Sequence, residues 1–347
     1  MNARIVRHIA AGSLVAAALL LGGVAQAKDK LKVVLSSTSF AWLPLYVADG
    51  AGLFEKEGLD VEIVNVKDGA VVVTAILNGD ADVAGVGGNS VFASRKAGQP
   101  IKLLTPMNVE YTSTIFGRKD VFEKAGITEK STVEQKITAL KGKKIGVISF
   151  NGGQHTMMRF LFAKYAGGVD VDKAAEIVPI GDSANTLAAM RRGAIDVSAF
   201  SPPVAEKAVA DGYAMILLDM IGGEVPETRG MVFTAMAVTE KALSEKSKQL
   251  AAFVRAIDAA DKLVHSDILA AGQAARKHMT AMDSDLYELG IKAMQRATPK
   301  SAETPIEGLK KYRELLAFGG LAYAQGEFDF EAATANAFVK DALAKKK

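Results

Sequence analysis

Phe40-Ala41-Trp42-Leu43-Pro44-Leu45-Tyr46-Val47-Ala48-Asp49-Gly50-Ala51-Gly52-Leu53-Phe54-Glu55-Lys56-Glu57-Gly58-Leu59 is the stretch that decides the fold. It follows a short strand pattern, Leu31 to Leu35, and a hydroxyl-rich loop, Ser36-Ser37-Thr38-Ser39. Pro44 stands near the start of the helical pattern, where its missing N–H costs nothing. Strand, polar loop and helix make the first half of an α/β unit. The first amides of such a helix have no partner within it, so they can receive a ligand. This favours a protein that binds small molecules over one that transforms them.

Outward from that stretch, strand and helix patterns alternate, which predicts α/β architecture with mainly parallel sheets. Strands are expected at 32–35, 60–65, 83–86, 101–106, 144–149, 175–179, 197–200 and 214–219. Asp68 is placed to cap a helix over 69–77, and Asp182 or Ser183 to cap one over 184–192. Gly79 and Gly193 then fall just past those helices, where a left-handed residue is wanted. The chain also echoes itself. Asn78-Gly79-Asp80-Ala81-Asp82-Val83 matches Arg192-Gly193-Ala194-Ile195-Asp196-Val197, and Lys32-Val33 matches Lys144-Ile145. Gly79 and Gly193 are 114 positions apart, Lys32 and Lys144 112 apart. Order and offset agree, so two similar lobes are expected to enclose a cleft.

The segment from Pro106 to Val121 should cross from the first lobe to the second, and Glu224 to Val238 should cross back. Within the latter, Gly230 to Val238 is a continuous apolar run fit for a buried strand. Beyond Thr239 the pattern is helical only, at 243–265, 268–278, 284–295, 305–318 and 332–343. These helices are expected to cover the outside of the lobes. The boundaries expected are 31–112 with 228–347 for lobe 1, and 113–227 for lobe 2.

Residues 1–27 read as a secretory signal. Arg4 and Arg7 form its positive end, Ala10 to Val24 its apolar run, and Ala25-Gln26-Ala27 a small-x-small site for cleavage after Ala27. An uncleaved anchor is the competing reading. With the signal removed, the formal charge falls from +3 to +1, because residues 1–27 hold two of the 42 Lys+Arg and none of the Asp+Glu. That balance gives no support to nucleic-acid binding. The chain has no cysteine, so disulfides and cysteine catalysis are excluded. A monomeric periplasmic protein is expected.

At this point the chain resembles the periplasmic substrate-binding proteins of ABC importers, in the branch serving nitrate, sulfonates, taurine and the pyrimidine precursor of thiamine. Residues 44–61, Leu77 to Val83, Gly87-Gly88-Asn89-Ser90, Lys141 to Val147 and Ala189 to Val197 carry the resemblance. It implies a two-lobed type II periplasmic-binding fold with a central cleft, C-terminal helices and hinge closure. It also implies a small-molecule ligand and an ABC permease in the inner membrane as partners; no cofactor and no metal are expected. Relatives that make the thiamine pyrimidine carry a cysteine-bearing motif, which is absent here.

Four loops should face the cleft. The first offers Ser37, Thr38, Phe40 and Trp42; the indole either lines the cleft or packs in the core. The second offers Gly88, Asn89 and Ser90, where glycine lets the backbone approach a ligand. A dinucleotide fingerprint fits poorly there, because Ser90 holds the third glycine position. The third offers Asn151, Gly152, Gly153, Gln154 and His155; the histidine either donates to a ligand or is a partly buried polar residue. The fourth offers Ser201. Tyr111 joins an aromatic set with Phe40, Trp42, Phe150 and Phe200. No Lys or Arg lies in these loops, though Glu110 and Arg229 on the crossings could reach in. Neutral amides and hydroxyls favour a small oxyanion or a sulfonate. The aromatic set favours an apolar or aromatic body, so an organic anion such as a sulfonate, a taurine-like molecule or an aromatic carboxylate is expected, with a neutral heterocycle as the alternative. Enzyme motifs are absent: no His-Glu-x-x-His, no Gly-x-Ser-x-Gly and no phosphate loop. Some enzymes share the fold, which leaves a secreted enzyme as a further alternative.

Overall fold

The computed structural model describes residues 28–66, 69–280 and 282–345. The secretory signal and the Asp68 cap lie outside the described residues. Strands β1 (Asp29–Leu35), β2 (Leu59–Asn65), β3 (Val83–Gly87) and β4 (Ile101–Pro106) build one sheet with the late strand β10 (Thr234–Thr239), in the order β2-β1-β3-β10-β4. Strands β5 (Thr114–Arg118), β6 (Lys144–Val147), β7 (Glu176–Pro179), β8 (Val197–Phe200) and β9 (Ala214–Leu218) build the other, in the order β7-β6-β8-β5-β9. The helices used below are α1 (Leu43–Gly50), α2 (Gly69–Asn78), α3 (Gly88–Lys96), α4 (Gly153–Tyr165), α5 (Ser183–Arg191), α6 (Ser247–Ser266) and α7 (Ile306–Phe318).

The two sheets repeat one plan, and the echo has a physical content. Gly79 and Gly193 follow α2 and α5 with φ of 81° and 72°, which glycine adopts without a Cβ penalty. Just beyond them the carboxylates of Asp82 and Asp196 accept the amides of Lys32 and Lys144, at 2.9 and 3.0 Å. Each aspartate thus ties the end of a helix to a neighbouring strand. Asp182 caps α5 by accepting the Asn185 amide at 2.8 Å.

Three expectations need correction. The sheets are mixed rather than mainly parallel: β10 runs against β3 and β4, and β5 runs against β8 and β9. The crossing segment 106–121 is also not a plain connection, because it contains β5. Both have one cause. A chain that leaves one lobe at the cleft enters the other at the cleft, so its first strand there must run outward, against the rest. The terminal helices differ too. The expected helix 243–265 is broken at Lys246, which joins the helix Glu240–Glu245 to α6. The helix α7 does not sit on one lobe; it packs against α3 of the first and α4 of the second.

Apolar packing joins the lobes behind the cleft. One buried cluster runs from Val34 and Phe92 to Ile145 and Leu161. Tyr111, Phe233 and Tyr312 bridge it, with ring centroids 4.4 Å (Tyr111–Phe233) and 6.1 Å (Phe233–Tyr312) apart. A second cluster packs α1 and α6 over the first sheet, and a third fills the second lobe.

Candidate functional site

A cleft of about 320 Å³ opens between the two sheets at the C-terminal ends of β1, β3, β6 and β8. The β1 loop contributes Ser36, Ser37, Ser39, Ala41 and Trp42. The indole is 3% exposed, and its Nε1–H donates to the Ser37 carbonyl at 3.0 Å. Its ring lies against Gly85, where an added Cβ would stand 3.0 Å from Cζ3. Trp42 is therefore both a core residue and part of the cleft wall.

From β3 and α3 come Gly85 to Gly87, Asn89 and Ser90. From the second lobe come Ile148 to Gln154, then Phe200 and Ser201. The helices α3 and α4 start at the cleft from opposite sides, after Gly87 and Gly152, and neither has a side-chain cap. The first amide of α3, on Gly88, donates to the Phe233 carbonyl at 2.8 Å. The next first-turn amides of α3 and those of α4 have no partner within their own helices and face one space. Glycine is required where α4 starts: a Cβ on Gly153 would stand 2.8 Å from Phe233 Cε2. The apolar wall is Trp42, Phe150, Phe200, Phe233 and Val73. Phe150 is 57% exposed at the mouth. Among the described residues, no Lys, Arg, Asp or Glu lines the cleft.

Of the residues expected at the site, the structure brings together Ser37, Trp42, Asn89, Ser90, Asn151, Gly152, Gly153, Gln154 and Ser201. Five lie outside its lining. Phe40 packs against Tyr287, with ring centroids 5.2 Å apart. Thr38 accepts from Asn65 Nδ2 at 2.8 Å. Gly88 faces the Val232 carbonyl and Tyr312. Tyr111 is buried against Phe233, and burial raises its phenol well above the ordinary value. His155 is buried behind the loop, between Asn151 and Asp172. Gln154 lines the cleft, but its amide is engaged: Oε1 accepts from Ile148 N–H at 2.7 Å, and Nε2 donates to the Ala199 carbonyl. Glu110 and Arg229 pair backbone to backbone where the crossings meet, and neither lines the cleft. Burial raises the Glu110 carboxyl above its ordinary range.

Sequence reasoning missed Ser113, Phe233 and Thr234, which line the cleft from the two crossings. It also missed Asn108, fully buried, which ties that region together. Its Nδ2 donates to the Ala41 carbonyl at 3.1 Å, and its Oδ1 accepts from the Thr234 hydroxyl at 2.6 Å. Thr112 then lies 2.9 Å from the Ser201 hydroxyl in the second lobe. The available signal was positional: the first residues of β5 and β10 enter each lobe at the cleft.

Residues 39–267 match the family model described as NMT1/THI5 like, two-thirds of the chain, and the chain belongs to that family. Its fold is that of the periplasmic binding proteins. Among solved structures, a protein of Bordetella bronchiseptica is similar with a TM-score of 0.78 and 21% identity, covering 91% of this chain and 98% of that one. The nitrate-binding protein NrtA of Synechocystis aligns with a TM-score of 0.69 and 13% identity, over 91% and 89%. The alkanesulfonate-binding protein SsuA of Xanthomonas axonopodis, bound to MOPS, aligns with a TM-score of 0.65 and 17% identity, over 85% and 95%. Two curated relatives match over shorter stretches. A 4-amino-5-hydroxymethyl-2-methylpyrimidine phosphate synthase of Uromyces fabae is 33% identical over 122 residues, 35% of this chain. A putative binding protein of Bacillus subtilis, YtlA, is 40% identical over 58 residues, 17% of this chain. The aligned parts span 33% and 17% of those relatives' own lengths.

Among the described residues no helix is long and apolar enough to cross a membrane. Nor does any cluster of three or more His, Asp or Glu there stand ready to hold a metal ion.

Proposed function

We propose that the protein is the periplasmic solute-binding component of an ABC importer, capturing a small organic anion between its lobes. The observation that carries this reading is the pair of uncapped helix starts, α3 and α4, which face one uncharged cleft from opposite sides. Each terminus favours a negative group by about 0.3–1 kcal/mol. The open amides and the hydroxyls of Ser37, Ser90 and Ser201 supply donors. Trp42, Phe200 and Phe233 supply a surface for an apolar or aromatic body. The volume lies near the lower end of the roughly 300–1,000 Å³ usual for ligand pockets, which suits a sulfonate or an aromatic carboxylate. Residues 31–112 with 228–347 act as one lobe and 113–227 as the other. The protein is a monomer that passes its ligand to a permease unchanged, and it binds no nucleic acid.

A thermal-shift screen against alkyl and aryl sulfonates, taurine, nitrate and aromatic carboxylates tests the reading. A ligand at about 100 times its Kd adds about 2.7 kcal/mol to stability. No shift with any of these anions would refute the anion assignment. The best ligand should also be recovered intact after prolonged incubation; turnover would favour an enzyme. A second reading, a neutral pyrimidine as ligand, draws support from the aromatic wall and from the partial match to the pyrimidine phosphate synthase. It predicts stabilisation by a hydroxymethylpyrimidine and none by sulfonates.

A further inference from the structure

The loop that carries Asn151 is held from behind by a histidine. His155 is the third residue of α4, and its Nδ1 accepts the Asn151 N–H at 3.0 Å. At that position a Glu or Gln commonly reaches back to an amide preceding the helix. An imidazole can do the same only while that nitrogen carries no proton. Its other nitrogen, Nε2, lies 2.7 Å from Asp172 Oδ1 and therefore carries the hydrogen. Asn151 itself is left-handed, with φ of 59°. Its carbonyl accepts from Asn89 Nδ2 at 3.0 Å, across the cleft. One peptide segment thus faces the histidine with its amide and the opposite lobe with its carbonyl.

We propose that His155 is a positioning residue and a proton-sensitive catch: unprotonated, it holds Asn151 where the carbonyl takes the Asn89 amide, and protonation releases that clasp and loosens the closed lobes. The inference rests on the reading of the cleft as a ligand site that closes. It concerns how the grip is regulated.

The groups around the ring oppose one another. Asp172 and Asp170, from the short helix Val171–Ala174 and its cap, favour a protonated ring. Arg159, one turn along α4 and paired with Asp172, disfavours it. The helix Val133–Thr138 brings Lys136, which is buried against Glu224. The helix α7 brings Tyr312, whose hydroxyl is 3.5 Å from Asn89 Oδ1. Phe150 covers the ring edge-on, with centroids 5.9 Å apart. Burial is the largest influence and holds the imidazole below its ordinary pKa. In an opened form, with the Asn151 amide withdrawn from the ring and water admitted, the imidazole should titrate nearer the ordinary value of about 6.5. Closure then requires loss of a proton in the window between the two values. Affinity should fall on acidification through it, by at most about tenfold per pH unit. Reciprocally, breaking the clasp must raise the pKa of His155.

NMR of the ligand-free protein tests this directly. The His155 ring and the Asn151 amide are followed from pH 8 to pH 5, in the parent protein and in Asn89→Ala. The expected result is a His155 titration below the ordinary value, loss of Asn151 exchange protection on the same curve, and a shift of both to higher pH in Asn89→Ala. A His155 curve unmoved by Asn89→Ala, or protection that ignores the ring, overturns the proposal. In a second arm, benzenesulfonate, whose charge is constant over this range, is titrated calorimetrically. Its Kd should rise on acidification in the parent and stay level in His155→Gln, which keeps an acceptor at the same place. Equal pH dependence in both also overturns the proposal. If benzenesulfonate binds neither, the ligand class is wrong, and the NMR arm still decides the catch.

Discussion

Gly153 shows how tightly the cleft is specified at the scale of one residue. Its missing side chain lets α4 begin against Phe233, and that ring is fixed between Tyr111 and Tyr312. Gly153→Ala should lower stability by about 1–3 kcal/mol through overpacking and weaken ligand binding. Urea denaturation with and without ligand measures both. Trp42 separates two roles in the same way. Trp42→Phe keeps most of the apolar wall but leaves the Ser37 carbonyl without its indole donor, and should cost about 1–2 kcal/mol. Trp42→Ala should cost about 3–5 kcal/mol and abolish the fluorescence response to ligand. At this scale the sequence was a partial guide. Ser37, Ser90, Asn151 and Ser201 announced themselves as small polar residues at strand ends. Phe40 and Tyr111 were offered as aromatics near the same loops and His155 as a donor, yet their side chains turn away from the cleft. Which way a side chain turns from a loop depends on its neighbours in space, and those come from Tyr287, Phe233 and Asp172.

Among the elements, the repeated helix-to-strand turn is the feature to test. Asp82 and Asp196 hold equivalent amides in different sheets. Asp82→Ala and Asp196→Ala should each cost about 1–2 kcal/mol, as loss of a charge-assisted hydrogen bond does. The pair should be additive to within about 0.5 kcal/mol, because the two turns share no partner. Denaturant midpoints of the two single variants and the double variant check this; strong coupling would show that the turns are not independent. The turns were legible because they are local: glycine, aspartate and strand onset lie within a few residues. Strand β5 was not legible. Five residues within a crossing segment carry a weak pattern, and its partners, β8 and β9, lie about 80 to 100 positions later in the chain.

For the whole molecule, pH reports on buried titratable groups. His155 has a depressed pKa in the folded state. The unfolded chain therefore binds the extra proton first, and folding stability must fall as pH drops below about 6.5. Asp261 gives the opposite sign. It is fully buried on α6, its carboxyl oxygens have no hydrogen-bond partner among the described residues, and its pKa is raised, by burial first and by Asp258 second. The folded state holds that proton longer than the unfolded chain. The resulting stability is present below the unfolded value near 4 and is lost as pH rises through the folded value. Asp261→Asn should flatten this neutral-side decline, measured by urea denaturation from pH 4 to pH 8. An unchanged profile would mean that Asp261 ionises normally. The proposed closure is also tested at this scale. Ligand should reduce the radius of gyration in solution scattering, and Asn89→Ala should weaken that response.

Most of the order of strands and helices, β5 apart, the twofold plan and the polar loops at strand ends were determined by the sequence, because each is written in residues close together along the chain. Periodicity, capping and glycine placement act over a few positions, so they can be read without a partner. The tertiary structure alone decided the antiparallel strands, the bridging place of α7, the Asn108 network and the engagement of His155 behind the loop rather than within the cleft. Each of those depends on residues far apart in the chain that meet only when the two lobes are packed against one another, and no local pattern records such a meeting.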